Sequence, residues 1–285
     1  MSTHIVVGVD GSVPATGAVE WAAGDARRRG LDLRLVHVGP QWLHEGNAEH
    51  CARLLEEAAD RARALAGGVK VTTELLSGNV AGELIRESAT AGGVVLGSRG
   101  LGGFAGMTVG SVSLAVAGHA SGPVVVVRAP AAPAAPAAPE HGRVVVGYDG
   151  SRDAQAAMEY AVEQARARGA RLHVVSAWQM PVFSPYAVTY NTLIQDLMRE
   201  ETGAARERVV PWREANPDLV VTDEQPCAHP VTALMQAAGS ADLVVVGSRG
   251  RGGFASAVLG SVSHGVLHHV TCPVAVVRPG EEERS

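Results

Sequence analysis

The chain has 285 residues, room for about two domains, and a formal net charge of −5, which speaks against nucleic acid as a general partner. Hydrophobic residues make up 46% and aromatic residues only 4%, so the apolar mass is Val, Leu and Ala, as in parallel strands covered by helices. No apolar run approaches the roughly 20 residues of a membrane-spanning helix, and Cys51, Cys227 and Cys272 make neither a disulfide framework nor a CxxC metal pair.

Strand and helix alternate along the chain. Ile5–Val9 is an apolar strand. Ala15–Arg29 reads as a helix, with Ala18, Ala22 and Ala26 at helical spacing. Leu31–Val38 is a second strand. Ala48–Leu65 is a helix whose Leu54, Leu55, Ala58 and Leu65 share a face. Val69–Leu76 is a third strand, alternating apolar and polar. Val80–Ala89 is a helix, Val94–Gly97 a fourth strand, Thr108–Ala117 a helix and Val124–Val127 a fifth strand. This alternation predicts a parallel, doubly wound α/β sheet, which binds ligands beyond the carboxyl ends of its strands.

The series is then written again. Ile5–Ser12 returns as Val144–Ser151, Val95–Gly100 as Val245–Gly250, Gly110–Ser113 as Gly260–Ser263, and Pro123–Arg128 as Pro273–Arg278. Two copies of this size are two domains, each with its own core. We expect them at 1–128 and 142–279, each with a five-stranded, mostly parallel sheet flanked by helices, packed as a pseudo-symmetric pair. Between them, 129–141 is a Pro/Ala linker whose regular prolines favour polyproline II, and 280–285 is a tail. The second copy adds a longer stretch, Trp178–Tyr190, read as a packed variable loop. Met1–Asp10 lacks the basic and apolar regions of a signal peptide, so a cytoplasmic protein is expected.

The sharpest motif follows each fourth strand. Gly97-x-x-Gly100, nine residues, then Gly110-Ser111 returns as Gly247-x-x-Gly250, nine residues, then Gly260-Ser261. Gly102, Gly103, Gly252 and Gly253 lie in the intervening loops. Such glycines let main chain approach a ligand, and the Gly-Ser pair opens a helix whose free N–H groups suit a phosphate. Ser111, Ser113, Ser261 and Ser263 add hydroxyls; Arg99, Arg249 and Arg251 add charge. A glycine-rich turn with a serine cap has the same spelling. Asp10 and Asp149 end the first strand of each copy. There a carboxylate can accept ribose hydroxyls or reach a phosphate-bound Mg²⁺, or cap the next helix, a task Ser12 and Ser151 can take instead.

On these residues the chain resembles the universal stress protein family, in its ATP-binding subgroup, whose signature is G-x-x-G, nine residues, then G with Ser or Thr. Both halves match in full. The resemblance implies an adenine-nucleotide α-hydrolase-like fold, one ATP per half with Mg²⁺ on its phosphates, and a nucleotide-dependent role in stress response or growth control. It places Asp10, Gly11, Asp149 and Gly150 near the nucleoside, and the main chain of Val38 and Ala177 at the adenine edge. Gly97, Gly100, Gly110, Ser111 and Val112, with Gly247, Gly250, Gly260, Ser261 and Val262, would hold the phosphates.

Other chemistries fit less well. Lys70 is the only lysine and is far from any glycine loop, which argues against P-loop NTPases and protein kinases. No Gly-x-Ser-x-Gly elbow occurs. No catalytic residue is evident, so ATP hydrolysis, if any, is expected to be slow. His264 and His268 have the spacing of a shared metal pair, but Leu114 and Gly118 replace them in the first copy and no acidic or cysteine ligand is near. A scaffold with degenerate sites is the remaining alternative. The copies also differ: Gly92-Gly93 stands where the second has Asp242-Leu243, and Leu101 where it has Arg251, so unequal affinities are expected. An open sheet edge can pair two domains or two chains, which leaves a homodimer open.

Overall fold

A computed structural model describes residues 3–39, 45–102, 108–128, 141–179, 191–252 and 258–280. The linker up to residue 140, residues 180–190 of the long stretch, Gly103, Gly253 and the tail after Gly280 lie outside the described residues.

In the first half the elements are β1 (His4–Gly8), α1 (Val13–Arg29), β2 (Asp32–Gly39), α2 (Glu45–Ala66), β3 (Val71–Ser77), α3 (Val80–Ser88), β4 (Val94–Gly97), α4 (Ser111–His119) and β5 (Val124–Val127). The second half repeats them as β6 (Arg143–Gly147), α5 (Arg152–Arg168), β7 (Arg171–Val175), α6 (Asn191–Ala215), β8 (Val221–Glu224), α7 (Pro230–Ala238), β9 (Leu243–Gly247), α8 (Ser261–His269) and β10 (Val274–Val277). The helix expected from Thr108 starts at Ser111, because Gly110 is extended (φ −77°, ψ 156°) and serves as the N-cap.

Local chemistry sets the boundaries. Ser12 Oγ accepts the Ala15 N–H at 3.3 Å and Ser151 Oγ the Ala154 N–H at 3.2 Å, so serine caps both first helices. Each helix stops on a left-handed glycine, Gly30 (φ 65°) and Gly169 (φ 59°). At Gly92-Gly93 the halves differ: β4 starts one residue later than β9, and Asp242 accepts the N–H groups of His141 (2.7 Å) and Arg143 (3.0 Å).

The strands form one ten-stranded sheet in the order β3-β2-β1-β4-β5-β10-β9-β6-β7-β8. All pairings are parallel except β5 with β10. Helices α1, α2, α5 and α6 contribute to an apolar layer on one face, and α3, α4, α7 and α8 to the layer on the other. Fully buried Ile5, Leu33, Leu35, Leu172 and Leu243 are each worth about 1.5–3 kcal/mol of burial.

The β5–β10 register joins the halves about a pseudo-two-fold axis: Val124 faces Val276, Val125 faces Ala275, and Val126 faces Val274. Arg128 reaches across to the carbonyls of Leu267 (2.6 Å) and Val270 at the end of α8, and its counterpart Arg278 reaches the Gly118 carbonyl near the end of α4. A cation at a helix carboxyl end satisfies orphan carbonyls and opposes the dipole. Among the described residues, no helix is long and apolar enough to cross a membrane.

Candidate functional site

In each half the strand order reverses between the first and fourth strands, which places β1/β4 and β6/β9 at the switch points. Beyond β6 and β9 lies a cleft of about 490 Å³. Its floor is Gly147–Asp149. Ser176, Ala177 and Trp178 form one side, Glu201, Ala205 and Arg208 of α6 another, and Arg249–Gly252 with Gly260–Ser263 the third.

Asp149 is a staple in this wall. Its Oδ1 accepts the Ser151 N–H at 2.9 Å and its Oδ2 the Arg251 N–H at 3.0 Å. Asp10 does the same with Ser12 (3.0 Å) and Leu101 (3.1 Å). Each aspartate thus ties the loop after the first strand to the glycine loop after the fourth. Gly11 (φ 80°) and Gly150 (φ 78°) make the turn between them.

The glycines of the motif have separate reasons. A Cβ on Gly97 would lie 2.6 Å from the Pro14 carbonyl carbon, and one on Gly247 2.7 Å from that of Asp153, so these two let the first helix pack on the strand. A Cβ on Gly250 would lie 2.7 Å from Asp149 Oδ2, and one on Gly100 would collide with Asp10 Oδ2, so these two let the staple close. Gly110 and Gly260 donate their N–H to the carbonyls of Ser98 (2.7 Å) and Ser248 (2.8 Å) and cap α4 and α8 without any side-chain hydrogen bond. The first N–H groups of these helices, at Ser111–Ser113 and Ser261–Ser263, therefore lack a side-chain cap, the arrangement that accepts an anion.

The serines divide. Ser111 and Ser261 are exposed, whereas Ser113 and Ser263 are buried and donate their hydroxyls to the Gly97 (2.8 Å) and Gly247 carbonyls. The inner pair therefore offers a ligand its main-chain N–H, its hydroxyl proton being engaged. At the other wall, the Val9 N–H bonds the Val36 carbonyl at 2.9 Å and the Tyr148 N–H the Val175 carbonyl at 3.0 Å. Strand periodicity turns the main chain of Val38 and Ala177, two residues on, to the same side, where the first strand has ended.

Arg249 and Arg251 line the second cleft as the motif suggests, but Arg208 joins them from α6. Sequence reading missed Arg208 because the phase of a helix about its axis decides which arginine faces in. It also missed Asp153, whose carboxylate accepts the Ser248 hydroxyl (2.6 Å) and the Arg249 N–H (3.0 Å) and lies 3.7 Å from the Arg249 guanidinium. An acidic residue in the first turn of α5 was the available signal. His264 and His268 stack with centroids 4.4 Å apart, and His268 Nδ1 lies 2.7 Å from Thr108 Oγ1. Among the described residues no group of three or more His, Cys, Asp or Glu side chains is placed to hold a metal.

Comparison with known proteins identifies the family and the fold. The universal stress protein family model matches residues 1–128 and 140–278. A universal stress protein of Mycolicibacterium smegmatis is 36% identical over 293 residues, covering 96% of this chain and 97% of that protein. Another, from Mycobacterium tuberculosis, is 37% identical over 302 residues, covering 96% of this chain and 94% of its own. Among solved structures, a universal stress protein of Archaeoglobus fulgidus shares the fold, with a TM-score of 0.70 at 23% identity, covering 99% of this chain and 98% of that one.

Proposed function

The chain belongs to the universal stress protein family, and we propose that it is a nucleotide-dependent regulator of stress response or growth control, with one adenine-nucleotide site per half and Mg·ATP as its principal ligand. One observation carries this reading: the uncapped start of α8 lines, together with Arg208, Arg249 and Arg251, a cleft at a sheet switch point. Anionic oxygens are what helix N–H groups and guanidinium forks bind best. The cleft volume falls within the roughly 300–1,000 Å³ of small-molecule sites. The main-chain edge at Ala177 suits a base, and the Tyr148–Asp149 turn suits a ribose.

The magnesium would arrive on the phosphates, since both Asp149 oxygens already accept backbone N–H groups. Residues Ser261–Ser263 and the three arginines would orient the phosphates. The Asp149 staple would keep the loop beside them, so occupancy would favour one loop conformation for a cytoplasmic partner to read. No lysine or histidine is among the described residues lining the cleft. Turnover is therefore expected far below the roughly 10 s⁻¹ of a typical enzyme.

Denaturing protein purified without added nucleotide, and identifying what it releases by mass spectrometry, tests the proposal. Near-stoichiometric ATP supports it. Released ADP moves the reading to a slow ATPase. Empty protein that fails to bind at millimolar Mg·ATP overturns it in favour of a scaffold.

A further inference from the structure

Resting on the nucleotide reading, we propose that the clefts take different ligands: the second a nucleoside triphosphate, the first a nucleoside monophosphate. Two counterpart positions around the switch points, and the side chain seated on each turn glycine, change character together. Val13 begins α1 where Arg152 begins α5. Leu54 seats against Gly11, its Cδ1 2.8 Å from where a Cβ would stand, and Arg208 seats against Gly150 at 3.0 Å. Leu101 follows Gly100 where Arg251 follows Gly250. Val13 is 53% and Leu101 77% exposed, so neither is explained by core packing.

What the first half keeps at its switch point is the uncapped start of α4, the Asp10 staple and an exposed Arg99 in the glycine loop. A helix end of about half a charge plus one guanidinium balances a single phosphate monoester of about −1.5 to −2. Further phosphates would lie beside Leu54 and Leu101, giving up water for no hydrogen-bond partner. In the second cleft Arg208 and Arg251 stand at those positions and can meet the outer phosphates of a longer chain.

Calorimetric titration of the full chain with ATP and with AMP, each with Mg²⁺, tests the division. Wild type should bind one ATP tightly per chain. AMP should still bind in the first half after Gly250→Val has disturbed the Asp149 staple and weakened the second site. Arg208→Leu with Arg251→Leu should weaken ATP about 100-fold, roughly tenfold for each charged hydrogen-bonding group, while leaving AMP at the first cleft unchanged. Leu54→Arg with Leu101→Arg should add a second tight ATP; unfolding curves will show that each variant is folded, and the arginine-to-leucine pair decides alone if the reverse pair is not. Two equal ATP sites in wild type, or ATP binding indifferent to loss of both arginines, overturns the division while leaving the nucleotide reading intact. Binding of neither nucleotide overturns both.

Discussion

At the seam between the halves the two copies still match, and at the clefts they do not. Across β5 and β10 every residue meets the partner that two-fold symmetry assigns, and Arg128 and Arg278 make reciprocal reaches to helix carboxyl ends. A self-complementary surface constrains both copies, because each is the other's partner. A cleft answers only to its ligand, so Val13 and Arg152, or Leu101 and Arg251, can diverge. The seam does break its symmetry where α1 meets α5. Asp25 is fully buried and faces Gln164, its own counterpart, at 3.2 Å; Arg168 Nη2 donates to it at 3.0 Å and Arg29 Nη1 at 3.2 Å. Two copies of the first half would set aspartate against aspartate here, whereas the tandem chain sets an acceptor against an amide donor.

The largest expected effect breaks that contact. Asp25→Ala leaves the largely buried guanidiniums of Arg29 and Arg168 without their shared carboxylate. Removing one partner of a buried ionic group costs about 3–5 kcal/mol. Arg29 keeps Glu163 at 2.9 Å, so the lower end is expected in urea unfolding. A loss under about 1 kcal/mol, the scale of a surface pair, would show that the seam is held by the strands alone.

A smaller contrast sharpens the two roles of glycine in one motif. Gly97→Val pushes a side chain into the Pro14 main chain and should cost about 1–3 kcal/mol of stability, as overpacking does. Gly100→Val and Gly250→Val instead strike the carboxylates that close the staples. They should change the unfolding midpoint less than Gly97→Val. Ligand binding in the altered half should nevertheless fall by at least about tenfold, or 1.4 kcal/mol. Equal stability losses at Gly97 and Gly100, with binding retained, would show that the phosphate region has been misplaced.

Much of this was legible in the sequence because it is local or repeated. Val-rich runs named the strands, Val94–Gly97 and Val124–Val127 to the residue, and the duplicated glycine spacing named the cleft. What escaped was set by geometry at a distance. Nothing local says that Ser113 turns inward to the Gly97 carbonyl while Ser111 stays outside, since that depends on helix phase against β4. The aspartates were expected near ligand or at a cap. Their bonds to Leu101 and Arg251 cross 91 and 102 residues, and only the folded chain brings them together. The β5–β10 pairing was foreseen as an open edge, but its antiparallel register is a property of two sheets meeting.

The smallest effect compares the outer strands. Arg34 in β2 pairs with Glu74 and, at 2.9 Å, with Glu87. Its counterpart in β7 is His173, with Nδ1 2.9 Å from Thr222 Oγ1 and Nε2 3.4 Å from Glu224. Burial, then the nearby Arg143, lowers the His173 pKa below its ordinary 6.5, and Glu224 opposes this only in part. The unfolded chain therefore takes up its proton first, so stability from this site is whole above about pH 6.5 and is lost as pH falls below it. Amide exchange read from about pH 7 down to about pH 5 should show β7–β8 losing protection before β2–β3, and His173→Gln should flatten that difference. If both outer pairs lose protection together, or the glutamine variant keeps the difference, the acid response arises elsewhere and the halves differ in their clefts but not in their outer strands.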